Sequence, residues 1–188
     1  DSSPPETPLP PRAPSDVGLN PHEWLNSHNK ERCLFGSAPL SWDNELAESS
    51  LAYAHTLQSK LGCDIAHNLD DSNKGDRGEN LALNYGSLST HSQEPGAHNV
   101  IKERWCDSEK KYCDLETANC SSEAGHFTQV VSSRSTHVGC GQISFTDKKN
   151  MMCYIQVCRY RPAGNVTING QKISPYPTPW YENKYTCD

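Results

Sequence analysis

The chain has 188 residues, of which 34% are apolar, and contains 13 prolines, 12 glycines and nine cysteines. That length bounds it to one domain of ordinary size with extensions, and so lean an apolar content asks for a second source of stability, which secreted proteins take from disulfides. A net charge of −6 without a basic block excludes nucleic acid as the main partner, and the sequence has no 18-residue apolar run that would cross a membrane.

Residues 1–18 hold six prolines and read as an extended linker or mature N-terminal tail. The opening segment from Asp1 to Pro8, polar and without an apolar h-region, is expected of a secreted chain whose signal peptide has been removed. The folded domain is expected over 19–172. In NPHEWLNSHNKER, Trp24, Leu25 and His28 fall at helical spacing and Pro21 suits a first turn. A second helix follows, with Leu46, Ser50, Tyr53, Ala54 and Leu57 on one stripe, Asp43 as N-cap and Gly62 as stop. Residues 67–78 are polar and Gly-rich, hence a loop; GENLALNYG is expected to begin with a short helical turn; 87–97 is another loop; HNVIKERWCDSEKKY reads as a third helix. From residue 126 the pattern turns strand-like: HFTQVV, HVGCGQISF and MMCYIQVCRY, the last two joined by a turn at 147–150. Residues 173–188 form a Pro-rich aromatic tail with Tyr176, Trp180, Tyr181 and Tyr185. Helices first and a late antiparallel hairpin predict an α+β fold, with helices against a sheet.

The hairpin predicts disulfides. If Cys140 faces Cys158, Phe145 faces Cys153, and Cys140–Cys158 can bridge. Cys153 lies an odd number of residues before Cys158, so it points to the other face, where Cys63 at the end of the second helix is its natural partner. Cys113 and Cys120 are close enough for a local bridge. Of Cys33, Cys106 and Cys187, one must stay free or pair with another chain; Cys33–Cys187 is favoured, which leaves Cys106 for a dimer contact or a free thiol. Two N-glycosylation sequons fit the same oxidising compartment: Asn119-Cys120-Ser121 and Asn165-Val166-Thr167.

GHFTQVV, VGCGQISF and YIQVCRYRPAGN resemble the signature segments of the CAP superfamily, which includes cysteine-rich secretory proteins, venom antigens and plant pathogenesis-related proteins of group one. HNKER (28–32), LSWDNELAESSLAYA (40–54) and RGENLA (77–82) resemble further segments, in family order. The resemblance implies a secreted, disulfide-bonded, three-layer α-β-α sandwich with a central, mainly antiparallel sheet. It also implies a cleft holding two histidines and two acidic residues. His67, Glu79 and His126 match three of these positions. The fourth lies three residues after a helical tryptophan, which from Trp105 is Ser108, one residue short of Glu109; a helix turns about 100° per residue, so Glu109 needs a local shift to reach the cleft. Ser132 stands where the family has tryptophan, which is expected to loosen or reshape the cleft wall.

A pair of neutral imidazoles can hold Zn²⁺ or another divalent cation, with Glu79 as third ligand or ring orienter. The alternative is that His67, His126 and Glu79 form a satisfied polar network that fixes the cleft wall. No cofactor is required by either reading. His22, His55, His91, His98 and His137 are expected at the surface, and Trp24, Trp42 and Trp105 as core anchors. Ser132 and Ser133 follow His126 closely, but GxSxG is absent, so hydrolysis is a minor reading. The leading expectation is a non-enzymatic extracellular protein that binds a small lipid such as a sterol or fatty acid, in a defence, virulence or secretory context. The segment before GHFTQ, with one tyrosine and two cysteines, departs from the Tyr-rich loop of sterol-binding members. The alternative is an interaction module presenting loops 68–78 and 86–97 to a receptor or channel.

Overall fold

The computed structural model describes residues 19–68, 76–87, 95–182 and 184–187. In chain order it forms α1 (Pro21–Leu34), β1 (Ser41–Trp42), α2 (Asn44–Leu61), β2 (Gly78–Ser87), a π-helix (His98–Asp107), a 3₁₀ turn (Lys110–Tyr112), β3 (Cys113–Asp114), β4 (Asn119–Cys120), a second 3₁₀ turn (Ser122–Ala124), α3 (Gly125–Val130), β5 (His137–Thr146), β6 (Met151–Arg161), β7 (Thr167–Ile168) and β8 (Gln171–Lys172). The predicted linker 1–18 and the loop residues 69–75 and 88–94, with His91, lie outside the described residues.

The central sheet has the order β1-β5-β6-β2; β1 runs parallel to β5 and the other pairs are antiparallel. Helix α2 covers one face. Helices α1 and α3 and the π-helix cover the other, which gives three layers. Alternation along β6 assigns the cores: Cys153, Ile155 and Val157 join Ala54 and Leu57 of α2, while Cys158 and Tyr160 join Trp24, Trp105 and Phe127. The VGCGQ spacing has a packing reason. A Cβ on Gly139 would sit 2.2 Å from the Ala47 nitrogen, and one on Gly141 2.3 Å from that of Leu51, so only glycine lets α2 lie directly on β5.

The helix ends follow their caps. Asn20 accepts from the His22 N–H and Asp43 from the Leu46 N–H, which starts α1 and α2. Arg32, fully buried near the end of α1, donates to the carbonyls of Ala38, Val130, Ser132 and Ser135. This ties α1 to the end of α3 and to the turn after it; burial pulls its guanidinium down to about 10.

Two expectations are corrected. GENLALNYG does not start with a helical turn; it is the edge strand β2, paired to β6 along all ten residues. Glu, Leu and Ala favour helix locally, but β6 has an open side whose backbone groups require a partner, and that tertiary demand wins. HFTQVV is not a strand; it is α3. Its β-branched and aromatic residues suggested β, yet it has no strand beside it. Instead the Thr128 hydroxyl bonds the Ala124 carbonyl one turn back, and Phe127 and Val130 fill the core.

Four bridges close the fold: Cys33–Cys187, Cys63–Cys153, Cys113–Cys120 and Cys140–Cys158. Register puts Cys140 opposite Cys158 and Phe145 opposite Cys153. Cys106 is the free cysteine among the described residues and is only 1% exposed. The tail lies on the domain: Trp180 stacks on Phe35 at 4.9 Å and donates to the Leu34 carbonyl, and Tyr176 is buried in the core.

His28 is fully buried. Its Nδ1–H donates to the Trp24 carbonyl and its Nε2 accepts from the Tyr160 hydroxyl, each at 2.8 Å. Burial lowers it from 6.5 to about 4, and the positive charge of Arg32 adds to this. A histidine whose folded value is depressed contributes stability that is full above 6.5 and lost as pH falls toward 4, here about 3 kcal/mol. Urea unfolding at pH 7 and pH 4 should therefore show a larger loss for the wild type than for His28→Gln; equal losses would remove His28 as the titrating group.

Candidate functional site

Two histidine–carboxylate pairs form at the start of β2. Glu79 is the second residue of that strand and faces Arg159 of β6. Its Oε1 accepts from His67 Nδ1–H at 3.1 Å and from the Asn68 N–H at 3.2 Å; its Oε2 accepts from Nε and Nη2 of Arg159, both at 3.3 Å. The carboxylate is 14% exposed and its acceptor sites are filled, whereas the His67 side chain is 57% exposed. The hydrogen bond to Glu79 raises the His67 pKa; partial burial opposes this and the Glu79 charge adds to it.

The second pair joins His126 to Glu109. His126 Nδ1–H donates to Glu109 Oε1 at 2.5 Å, and Glu109 Oε2 accepts from the backbone N–H groups of His126 and Phe127 at 2.8 and 3.1 Å. One carboxylate thus orients the ring and satisfies the free donors of the first turn of α3. The His126 ring stacks on Trp105, with centroids 5.8 Å apart and planes within 9°. The Asn80 amide, next to Glu79 in the chain, donates to the His126 carbonyl at 3.1 Å and to the Tyr160 hydroxyl at 3.3 Å. Both pairs therefore lie at the same end of β2.

The winding of the preceding segment brings Glu109, one residue past Ser108, to His126. A π-helix closes bonds over five residues where an α-helix closes them over four, so it absorbs one extra residue. His98–Asp107 winds this way, and the Ser108 N–H still reaches the Glu103 carbonyl. Glu109 then points at α3, while Ser108 turns back and bonds the Arg104 carbonyl. The Ser132 position is filled by tight packing instead of an aromatic ring: a Cβ on Gly164 would lie 2.5 Å from Ser132 Cβ, so the strand exit closes onto α3. Ser132 and Ser133 bond to the Arg134 N–H and the Ser37 hydroxyl.

Among the described residues, the only three imidazole, thiol or carboxylate donors within 4.8 Å of one another are those of His28, Cys140 and Cys158. The two sulfurs there are joined in a disulfide and offer no thiolate. Among the described residues neither histidine–carboxylate pair belongs to a preformed three-ligand cage. Arg159, Asn80 and Tyr160 were missed from sequence, because each acts through the β2–β6 register that the helical reading of GENLALNYG hid. His22, His55, His98 and His137 are exposed as expected. A separate groove of about 490 Å³ lies between the β3–β4 and β7–β8 hairpins, lined by hydroxyl and amide groups as well as by Val166, Ile173 and Pro175.

Residues 25–160 match the family model described as CAP, cysteine-rich secretory protein family. The chain belongs to the CAP family. Pathogenesis-related protein 1B of Nicotiana tabacum is 38% identical over 158 residues, which cover 82% of this chain and 79% of that protein. Among solved structures, BmVAL-1 superposes with a TM-score of 0.63 over 89% of this chain and 87% of its own, at 19% identity. NaASP2 with Zn²⁺ superposes at 0.55 over 84% of each chain, at 23% identity. At these identities the structural likeness speaks for the CAP fold alone.

Two outcomes follow. Glu109→Ala leaves two N–H groups of α3 without their acceptor and should cost about 1–3 kcal/mol in chemical unfolding. Ser108→Ala should stay within about 0.5 kcal/mol; the reverse order would move the cleft position back to Ser108. In an NMR titration, His67 should titrate above the ordinary histidine range and return toward it in Glu79→Gln. By sign, the pair stabilises the fold at low pH, and that contribution is lost as pH rises through the raised value.

Proposed function

We propose that this CAP-family protein is an extracellular, non-enzymatic binding protein whose cleft takes a divalent cation through His67 and His126. The supporting observation is that a carboxylate holds Nδ1 of each ring, through Glu79 for His67 and Glu109 for His126, which leaves Nε2 as the ligating nitrogen. The residues fit a cation of zinc type in their donor chemistry, with neutral imidazoles backed by carboxylates. Two imidazoles fill only part of a tetrahedral shell, so water or a partner's polar group completes it. That makes the site one for recruiting a ligand and not a closed structural centre. The zinc in the NaASP2 structure is consistent with this reading. Hydrolysis finds less support, since the nearby hydroxyls of Ser132 and Ser133 bond elsewhere.

A small lipid such as a sterol or fatty acid remains the ligand class suggested by the family resemblance. The groove between the two hairpins combines hydroxyl and amide groups with the apolar surface of Val166, Ile173 and Pro175. An interaction role for loops 68–78 and 86–97 concerns segments mostly outside the described residues.

Native mass spectrometry of the secreted protein with added Zn²⁺ distinguishes these. One bound ion at neutral pH is expected, with affinity reduced about tenfold or more in His67→Ala and in His126→Ala. Binding should fall as pH drops through the raised His67 value, because the proton and the metal compete for the ring. Zinc binding unchanged in the double variant would sink the proposal, and a co-purifying lipid mass without metal dependence would favour the lipid reading.

A further inference from the structure

The two sequons, far apart in the chain, meet in space. Asn119 lies in β4, Asn165 lies between β6 and β7, and both line the 490 Å³ groove. Both asparagines are exposed. At about 490 Å³ the groove has the size that takes one small ligand or the first sugars of one glycan. Its lining suits a sugar, which has hydroxyl edges and apolar C–H faces: Thr117 and Thr167 offer hydroxyls, Val166 and Ile173 apolar surface.

The two acceptors are not equivalent. Asn165 Nδ2 donates to the Gly125 carbonyl at 2.7 Å, on the groove floor. This contact places Nδ2, the atom that a glycan would be joined to, at the groove lining beside Gly125. Asn119 precedes Cys120, which is bridged to Cys113 only seven residues away. Once formed, that bridge holds the Asn119 backbone in a ladder with Asp114, so a transferase would have to act on it before the bridge closes, whereas Asn165 lies in no strand.

We propose that Asn165 carries an N-linked glycan whose first sugars lie in this groove, and that Asn119 stays unmodified. In the transfer, Nδ2 of Asn165 forms a bond to the anomeric carbon of an oligosaccharide carried on a polyprenyl diphosphate. The glycosyl–phosphate bond breaks, the diphosphate leaves with its electron pair, and the amide gives up one proton. The groove is then filled by the protein's own glycan, which covers the β7–β8 hairpin.

The test is peptide mapping of the full chain secreted from eukaryotic cells, with timed release by a peptide N-glycosidase before and after denaturation. The expected result is a glycan on Asn165, none on Asn119, and native release slower than denatured release by about tenfold or more. Asn119→Gln should keep the glycan and Ile173→Ser should speed native release. An unmodified Asn165, glycans on both asparagines, or equal release rates in the native and denatured states would overturn the proposal. Because the mapping is done on the wild type, it stands even if a variant is not secreted.

Discussion

The constraint on which the structure depends is the alternation of side chains along the β5–β6 ladder. With Cys140 opposite Cys158, every second residue of β6 is committed to one helical layer and its neighbours to the other. Cys158 and Tyr160 face α1 and the π-helix; Cys153, Ile155 and Val157 face α2. The same alternation lets Cys63 at the foot of α2 reach Cys153, and it puts Arg159 beside Glu79 once β2 joins the edge. A one-residue slip would exchange the layers and break both disulfides together with the Glu79–Arg159 pair.

The cleft is built as an extension of this ladder. Tyr160 accepts from the Asn80 amide and donates its hydroxyl hydrogen bond to His28 Nε2, and Asn80 also donates to the His126 carbonyl. The buried chain of hydrogen bonds runs from α1 through the sheet to α3, so the cleft histidine is placed by the core and not by a surface loop. On the other pair, Arg159 is 7% exposed and matches the Glu79 charge, which keeps a carboxylate stable at a part-buried position while it orients His67. His67 itself is more exposed than His126, at 57% against 31% of the side chain.

Small backbone departures carry much of the specificity. The π-winding before Glu109 adds a residue to the turn and so decides which side chain caps α3. Ser132 lets Gly164 close against the turn after α3, and Arg32 donates to the carbonyls of Ala38, Val130, Ser132 and Ser135. The C-terminal tail adds Trp180 and Tyr176 to the same layer and is fastened by Cys33–Cys187.

Much was legible in the sequence, because it depended on local rules. The capped helices at 21 and 44, the β5–β6 hairpin, its register and the cysteine parity need only side-chain periodicity and a turn of fixed length. His67, Glu79 and His126 were legible through motif resemblance, with Glu109 left one residue out of phase. What tertiary structure decided was of another kind. GENLALNYG became a strand because β6 offered unpaired backbone groups, and HFTQVV became a helix because it had no strand to join. Glu109, and not Ser108, met His126 because a helix changed its winding under packing. Periodicity encodes which face a residue shows; only the assembled layers determine which neighbour that face will meet.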